Sequence, residues 1–266
     1  MIGAFRIVTV ANIPVQIHWT FGLLVAWIGY SGWTEGADTE TLLWLYALVF
    51  SLFLCVVLHE FGHAMAARRY GIGTHDITLS PIGGVARLDS IPEQPRHEFV
   101  VAIAGPAVNV AIALLLGLIF GVGLLFQKAN VMDVIREMSQ GSDFLIREYV
   151  WLAFVLQLMV ANVMLVLFNL IPAFPMDGGR IFRALLSARI GRLRATLIAA
   201  RLGQILAVAF FVMGIWKEQY VTSLIGIFVF YTAAYEYKAV KMQHEYQLLS
   251  SQQSATADAD EITFEI

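Results

Sequence analysis

The sequence predicts an all-α polytopic membrane protein with six transmembrane helices and a short membrane-associated β-hairpin. Hydrophobic residues make up 59% of the 266 residues and charged residues only 14%, against roughly 25% charged in soluble domains. Apolar runs of about 20 residues, long enough to cross a bilayer as helices, recur along the chain. The predicted spans are 15–32, 42–69, 99–126, 150–170, 195–216 and 220–239.

We expect these spans to form one membrane domain over residues 1–249. From about residue 250 the chain is rich in Ser, Gln, Ala and Asp, which is typical of segments too polar to fold, so 250–266 is predicted to be a disordered tail. The first residues lack the basic start and small-residue cleavage site of a signal peptide. The net charge of −3 gives no indication of a nucleic-acid partner, and the single cysteine excludes an intrachain disulfide framework.

A hairpin is predicted between the second and third spans. Residues 76–88, DITLSPIGGVARL, alternate apolar and polar positions around Pro81 and the pair Gly83-Gly84, a pattern typical of two short strands and a turn. At membrane depth such a hairpin must be covered by protein or water. Its edge could pair with an extended peptide, or it could be an ordinary surface hairpin. The sequence leaves both interpretations open.

The second span carries ionisable residues in an unusual place. Its first 17 residues, 42–58, contain no charge and no proline, and they run directly into His59-Glu60-Phe61-Gly62-His63. The next charge is Arg68, which on a helix lies about 13 Å beyond His59. Charged or titratable side chains at that depth are costly and usually mark a functional site.

The spacing of these residues indicates a metal site. His59 and His63 are four residues apart, so both rings leave the same face of a helix and can bind one zinc ion. Glu60 lies beside them, where it can act as general base toward a zinc-bound water. Cys55, one turn earlier, is either a further ligand or a small packing residue, and we favour packing. His18, at the start of the first span, is expected to be an interface or gating residue.

A catalytic zinc usually has three protein ligands, so a third residue is needed. The pattern HExxHxxGxxH fails because Ala66 and Arg69 stand at its Gly and His positions, and residues 81–85 offer no Glu. Asp177 follows the fourth span in a stretch rich in Pro and Gly. It is either a turn former or helix N-cap, or the third ligand, and we favour the ligand.

The distribution of charge predicts the orientation. With six spans, all but four of the 17 Lys and Arg residues lie on one side of the membrane. The four exceptions are Lys128, Arg136, Arg147 and Lys217. The positive-inside rule then puts both termini in the cytoplasm and opens the metal site toward the cytoplasmic side of the cell membrane.

Three separated motifs give the chain a family resemblance. His59-Glu60-Phe61-Gly62-His63, GPAVN at 105–109 and the pattern NxxPxxPxDG from Asn169 to Gly178 together resemble the site-2 protease family of intramembrane zinc metalloproteases, over residues 13 to 240. The resemblance implies Zn²⁺ bound by His59, His63 and Asp177, with Glu60 as general base. It also implies that Asn169 stabilises the oxyanion, although a buried Asn could instead tie helices together. The CBS and PDZ domains that family members often carry are not evident.

The predicted function is therefore intramembrane proteolysis, in which Glu60 assists attack of a zinc-bound water on a peptide bond. The resemblance implies single-span membrane substrates embedded in the lipid bilayer: a membrane-tethered transcription regulator, an anti-sigma factor or a signal-peptide remnant. One alternative is a transporter that moves metal ions or protons through the buried His and Asp site. Another is an inactive scaffold that binds substrates without cutting them. The presence of Glu60 between the histidines favours hydrolysis.

Overall fold

The computed structural model describes residues 3–264 except 82, 91, 93 and 140–148. In chain order the described residues form β1 Ala4–Val10, β2 Ile13–His18, α1 Thr20–Thr34, α2 Thr39–Arg68, β3 Thr74–Ser80, β4 Gly83–Leu88, α3 Pro95–Gln127, α4 Val131–Ser139, α5 Val150–Asn169, α6 Asp177–Ile190, α7 Arg192–Trp216 and α8 Tyr220–Phe264. The chain divides into two compact units, Met1–Asn169 and Leu170–Ile266, and each is described by itself.

A four-stranded sheet in the first unit has the order β1-β2-β3-β4. The outer pairs are antiparallel, while β2 and β3 are parallel and are connected through α1 and α2. Ala11 and Asn12 join β1 to β2 with φ of 51° and 66°, and positive φ at both turn residues suits the right-handed twist of a hairpin. The sheet packs on α2 through a buried cluster of Ile13, Ala64 and Ile77.

Helix α2 is the central element of the first unit. Asp38 caps its first turn by accepting a hydrogen bond from the backbone N–H of Thr41 at 2.8 Å, and Arg68 lies in its last turn, where a positive charge complements the helix dipole. At 30 residues it is about 45 Å long. One side faces the sheet, and another faces α3 through Ala66, Ala67 and Val101.

Helix α3 approaches α2 closely because Gly62 has no side chain. A Cβ atom there would lie 2.7 Å from the carbonyl oxygen of Ala104, inside van der Waals contact. The approach continues at Gly105, next to Pro106, the proline inside α3. The GPAVN segment is therefore a place where α3 lies close to its neighbour α2.

The second unit consists of α6, α7 and α8 and the irregular segment that leads into α6. Gly179 packs on the backbone of this segment, because a Cβ there would lie 2.6 Å from the carbonyl carbon of Ala173. Buried Arg183 lies 4.9 Å from the ring centroid of Phe174 and donates to Glu236 at 3.2 Å. The peptide bond between Phe174 and Pro175 is cis.

The mostly helical architecture is confirmed, but four helices in the described part of the chain are long and apolar enough to cross a membrane: α2, α3, α5 and α7. The first predicted span, 15–32, differs from the structure. Its first residues belong to β2, and α1 has only 15 residues, about 22 Å. The sixth predicted span, 220–239, lies inside α8. The six-span count and the disordered tail remain predictions.

The hairpin predicted at 76–88 is present as β3 and β4, and a short helix, α4, follows α3. The other two strands, β1 and β2, were not predicted. Strands β1 and β2 pair from Ala4 opposite His18 to Val10 opposite Ile13, with a shift of register between Arg6 and Val8. The sheet is therefore twice as large as predicted.

Candidate metal centre

The two histidines of α2 have their rings close together inside the first unit. His59 is 6% exposed and His63 is 5% exposed. Their Nε2 atoms lie 3.1 Å apart, which is the consequence of the four-residue spacing on one helix face. The predicted pairing of these rings is therefore present in the fold.

The other nitrogen of each ring meets a hydrogen-bond acceptor on α3. His63 Nδ1 lies 2.7 Å from the carbonyl oxygen of Val101, and His59 Nδ1 lies 2.5 Å from Oδ1 of Asn109. An acceptor at Nδ1 requires the proton to be on that nitrogen, so Nε2 has its lone pair available for a metal. Both rings thus present the atom that zinc would bind toward the same point.

Gly105 leaves the room that this arrangement needs. A Cβ atom at this position would lie 2.7 Å from Nε2 of His59 and would overlap the His63 ring at Nε2. Any side chain would therefore occupy the space where the two Nε2 atoms converge. A backbone position that must be glycine for this reason fits a metal between the rings.

Glu60 lies between the histidines in sequence and next to β4 in space. Its Oε2 accepts a hydrogen bond from the backbone N–H of Ala86 at 2.8 Å. A Cβ on Gly84 would lie 2.9 Å from Glu60 Cγ, so glycine is needed here for β4 to pass beside the carboxylate. The hairpin therefore holds one oxygen of the expected general base.

The other candidate residues belong to further elements of the fold. Asn169 ends α5, and its Nδ2 donates to the carbonyl oxygen of Leu165 at 3.0 Å. Asp177 begins α6 in the second unit and is 7% exposed. Cys55 is buried and receives a hydrogen bond from Asn162 at 3.4 Å, which agrees with the packing interpretation. His18 is hydrogen-bonded to Thr20 at 2.7 Å.

Sequence reasoning missed the residues that hold the histidines. Asn109 was noted only as part of a motif, and Val101 and Asn162 were not noted at all. One signal was available: Gly105 and Asn109 are four residues apart, as are His59 and His63, so each pair shares a helix face. That the two faces oppose each other depends on how α2 and α3 pack, which spacing alone does not give.

A family model and several known proteins match the chain. The model of Peptidase family M50 matches residues 47–213, which include the HExxH segment and α6. Zinc metalloprotease MJ0392 of Methanocaldococcus jannaschii is 36% identical over 90% of this chain and 62% of its own length. The Rip3 protein of Mycobacterium tuberculosis is 30% identical over 77% of this chain and 50% of its own length. The chain thus spans about half to three-fifths of these relatives.

A solved structure supports the same relationship. The site-2 protease from Methanocaldococcus jannaschii matches 88% of this chain and 95% of its own chain, with a TM-score of 0.60 and 34% identity. The histidine pair, in which Nδ1 of each ring faces an acceptor, fits zinc, the metal in the name of the Methanocaldococcus jannaschii relative. The chain therefore belongs to Peptidase family M50, the site-2 proteases, which are zinc metalloproteases.

Proposed function

We propose that this protein is an intramembrane zinc endopeptidase that cleaves transmembrane segments of membrane-anchored substrates. The observation that carries the proposal is the buried pair His59 and His63, with both Nδ1 atoms engaged and Glu60 beside them, on a helix apolar enough to cross a membrane. A transporter would need buried metal-binding groups but has no use for a general base at this position. Family membership likewise favours proteolysis.

Asp177 is the proposed third zinc ligand. Two imidazoles and one carboxylate are a donor set typical of catalytic zinc, and Asp177, like His59 and His63, is a buried residue. The start of α6 also gives Asp177 a second role, because a carboxylate in the first turn complements the helix dipole. Ligand and helix start are compatible roles for one side chain.

Glu60 is the proposed general base. Zinc supplies Lewis-acid chemistry: it polarises a carbonyl and lowers the pKa of a water toward about 7. Glu60 accepts the proton of the water whose oxygen adds to the scissile carbonyl carbon, and it returns a proton to the amine nitrogen as the C–N bond breaks. The Ala86 N–H contact at 2.8 Å supports this role because it orients one carboxylate oxygen and leaves the other for the water.

Asn169 is the proposed donor to the oxyanion that forms during this attack. The support is its match to the family pattern that ends at Asp177. Its Nδ2 has two protons, so the amide can keep its bond to Leu165 and donate the second proton elsewhere. A donor of this kind is worth about 10²–10³ in kcat in other hydrolases.

The proposed substrates are single-span membrane proteins, of the regulator, anti-sigma factor or signal-peptide type that the resemblance implies. A transmembrane helix shields its carbonyls by hydrogen bonding, so it must unwind locally before attack. The outer edge of β4 supports this step, because backbone groups of an edge strand can pair with an extended peptide. Gly84 and Ala86, which lie next to Glu60, would align such a peptide with the base.

Six spans with both termini in the cytoplasm complete the proposal. The four helices long enough to cross are supplemented by α1 and the apolar first half of α8, and the positive-inside rule supports the orientation. Arg68 ends α2, five residues after His63. The site would therefore open toward the cytoplasmic side.

The test compares the wild type with Glu60→Gln in detergent, using a single-span model substrate with and without a zinc chelator. We expect cleavage within the span by the wild type, none with chelator, and none by Glu60→Gln although that variant retains zinc. Equal cleavage by Glu60→Gln would defeat the mechanism. The transporter alternative would be favoured if the wild type, reconstituted into vesicles, carried zinc across the membrane but did not cleave the substrate.

A further inference from the structure

A chain of hydrogen bonds connects His59 to helix α5 through two buried asparagines. His59 Nδ1 meets Asn109 Oδ1 at 2.5 Å, Asn109 Nδ2 donates to Asn162 Oδ1 at 2.8 Å, and Asn162 Nδ2 donates to the carbonyl oxygen of Leu158 at 2.8 Å. We propose that Asn162 is a positioning residue that fixes the tautomer of His59 by fixing the orientation of Asn109. This inference rests on the proposed zinc site.

The direction of the chain is set at its far end. The Leu158 carbonyl can only accept a hydrogen bond, so Asn162 must turn its NH₂ toward Leu158 and its oxygen toward Asn109. Asn109 must then present its NH₂ to Asn162 and its oxygen to His59. A ring facing that oxygen keeps its proton on Nδ1, and Nε2 becomes the metal-binding atom.

The second histidine shows why a relay is needed at the first. His63 Nδ1 lies directly against a backbone carbonyl, that of Val101, and a carbonyl cannot turn round. An asparagine side chain can turn by 180°, and it would then present a donor to His59 and favour the wrong tautomer. Asn162 removes this ambiguity because its own orientation is fixed by the backbone of α5.

Burial makes it costly for either asparagine to turn its amide group. Asn109 and Asn162 are both 0% exposed, so water does not compete for their amide groups. A buried polar group without a partner is costly, and turning either amide would place like groups against each other. Cys55 Sγ also lies 3.4 Å from Asn162 Nδ2, but sulfur is a weak acceptor, and the Leu158 carbonyl alone is enough to orient the amide.

The test measures zinc affinity, by competition with a chelator, on detergent-purified full chains whose folding is checked by thermal unfolding. Asn162→Leu removes the group that orients Asn109 and should weaken zinc binding about 10–100-fold, the usual effect of losing an outer partner of a metal ligand. The matched control is Cys55→Ala, which removes only the sulfur contact and should leave zinc affinity unchanged. An equal loss in Cys55→Ala would overturn the relay in favour of packing.

Variants at Asn109 separate loss of the Asn109 orientation from general structural damage caused by Asn162→Leu. In Asn109→Asp both side-chain oxygens are acceptors, so His59 faces an acceptor whichever way the group turns. Adding Asn162→Leu, which also removes the Asn162 oxygen that would face this carboxylate, should not lower zinc affinity by more than about threefold. Should Asn109→Asp not fold, Asn109→Leu serves instead: His59 has then lost its acceptor, and Asn162→Leu should add no further loss. Equal losses from Asn162→Leu in every background, or no loss in the wild-type background, would overturn the proposal.

Failure of the inference and failure of the proposed function give different results. If the wild type binds zinc and cleaves its substrate while Asn162→Leu binds zinc equally well, only the positioning role is lost. If Asn162→Leu loses zinc affinity as expected but the wild type cleaves nothing, only the proteolytic function is lost. A wild type that binds no zinc would overturn both.

Discussion

Gly105 of α3 lies directly opposite the ring of His63 on α2, at a place where no side chain would fit. The contact links the GPAVN segment to the HExxH segment in space. It gives a physical reason for the glycine: the position is in a helix, where glycine is otherwise less stable than alanine by about 0.5–1 kcal/mol. Glycine at this position lowers the stability of α3 slightly, but it keeps the space beside the two histidine rings open.

Gly105→Ala should therefore abolish or strongly weaken zinc binding. The new methyl group would overlap His63 and come within 2.7 Å of His59 Nε2, so we expect at least about tenfold lower zinc affinity, as for other disturbed metal sites. Gly121→Ala is the matched control, because it lies in the same helix and a Cβ there meets nothing within 4 Å. Equal zinc content in both variants would contradict this account.

Gly84→Ala should reduce turnover without removing zinc. Its methyl group would lie 2.9 Å from Glu60 Cγ and from Val56 Cγ1 and so displace the carboxylate from the Ala86 N–H. Since general-base catalysis is worth about 10²–10⁴, we expect a fall in kcat of about tenfold or more with unchanged zinc affinity. Gly22→Ala on α1, with nothing within 4 Å, should cleave normally. A parallel loss of zinc would show that β4 supports the metal rather than the base.

Asp177→Asn should lower the zinc content of the purified protein. A neutral amide is a poorer zinc ligand than a carboxylate, so elemental analysis should find clearly less metal per chain than in the wild type. Asp133→Asn is the control, since the Asp133 carboxylate lies in the first turn of α4, where it accepts a hydrogen bond from the backbone N–H of Asn130. Full zinc occupancy in Asp177→Asn would mean that another residue is the third ligand.

The hairpin should loosen in acid through Asp76. Burial opposes the charge of this carboxylate, but hydrogen bonds from Arg87 and Thr78 and the Arg87 charge outweigh burial and hold the pKa of Asp76 below its ordinary value. A lowered carboxyl pKa stabilises the fold above the unfolded-state pKa of about 3.9, and this contribution is lost as pH falls through the folded-state pKa.

The measurement is hydrogen exchange of the β4 amides between about pH 5 and pH 3, corrected for intrinsic exchange rates. The wild type should lose protection toward the acid end. Asp76→Asn should have lower protection at pH 5 and change less with pH. Identical pH dependence of the two proteins would assign the acid effect to other carboxylates.

The ion pair of Arg183 and Glu236 should contribute more to the stability of the fold than the exposed ion pair of Lys241 and Glu245 on α8. Arg183 is fully buried while Glu236 is 20% exposed. Removing one partner of a fully buried pair costs about 3–5 kcal/mol in other proteins, so Arg183→Met should lower the unfolding temperature, with a cost below that range because water can reach Glu236. Lys241 and Glu245, an exposed pair 3.7 Å apart, provide the control, and Lys241→Met should cost no more than about 0.5 kcal/mol. Similar shifts in both variants would show that the buried pair is not specially stabilising.

The sequence predicted the parts of the fold that depend on short spacing. The HExxH pair, the β3–β4 hairpin and the apolar helices each follow from a local period or turn signal. Strands β1 and β2 were missed for a physical reason: their turn uses Ala11 and Asn12 rather than a glycine pair, and Pro14 weakens the strand pattern. The parallel pairing of β2 with β3 joins residues about 60 positions apart, which no local pattern encodes.

The candidate site was predictable to the same extent. His59, Glu60 and His63 follow from one motif on one helix. The contacts of Asn109, Asn162 and Ala86 depend on how α3, α5 and β4 pack against that helix. Each of these residues acts through a single amide or N–H group, and asparagines and alanines with such contacts have no distinctive sequence pattern.

The hydrogen bonds that hold both imidazoles to the backbone have a consequence for metal exchange. Val101 and Leu158 anchor the two rings through α3 and α5, so the site's geometry is preorganised by helix packing. Zinc-finger peptides differ, because their metal supplies the folding free energy and its removal unfolds them. The apoprotein should remain folded here and accept cobalt in place of zinc, which would make the site visible by absorption spectroscopy.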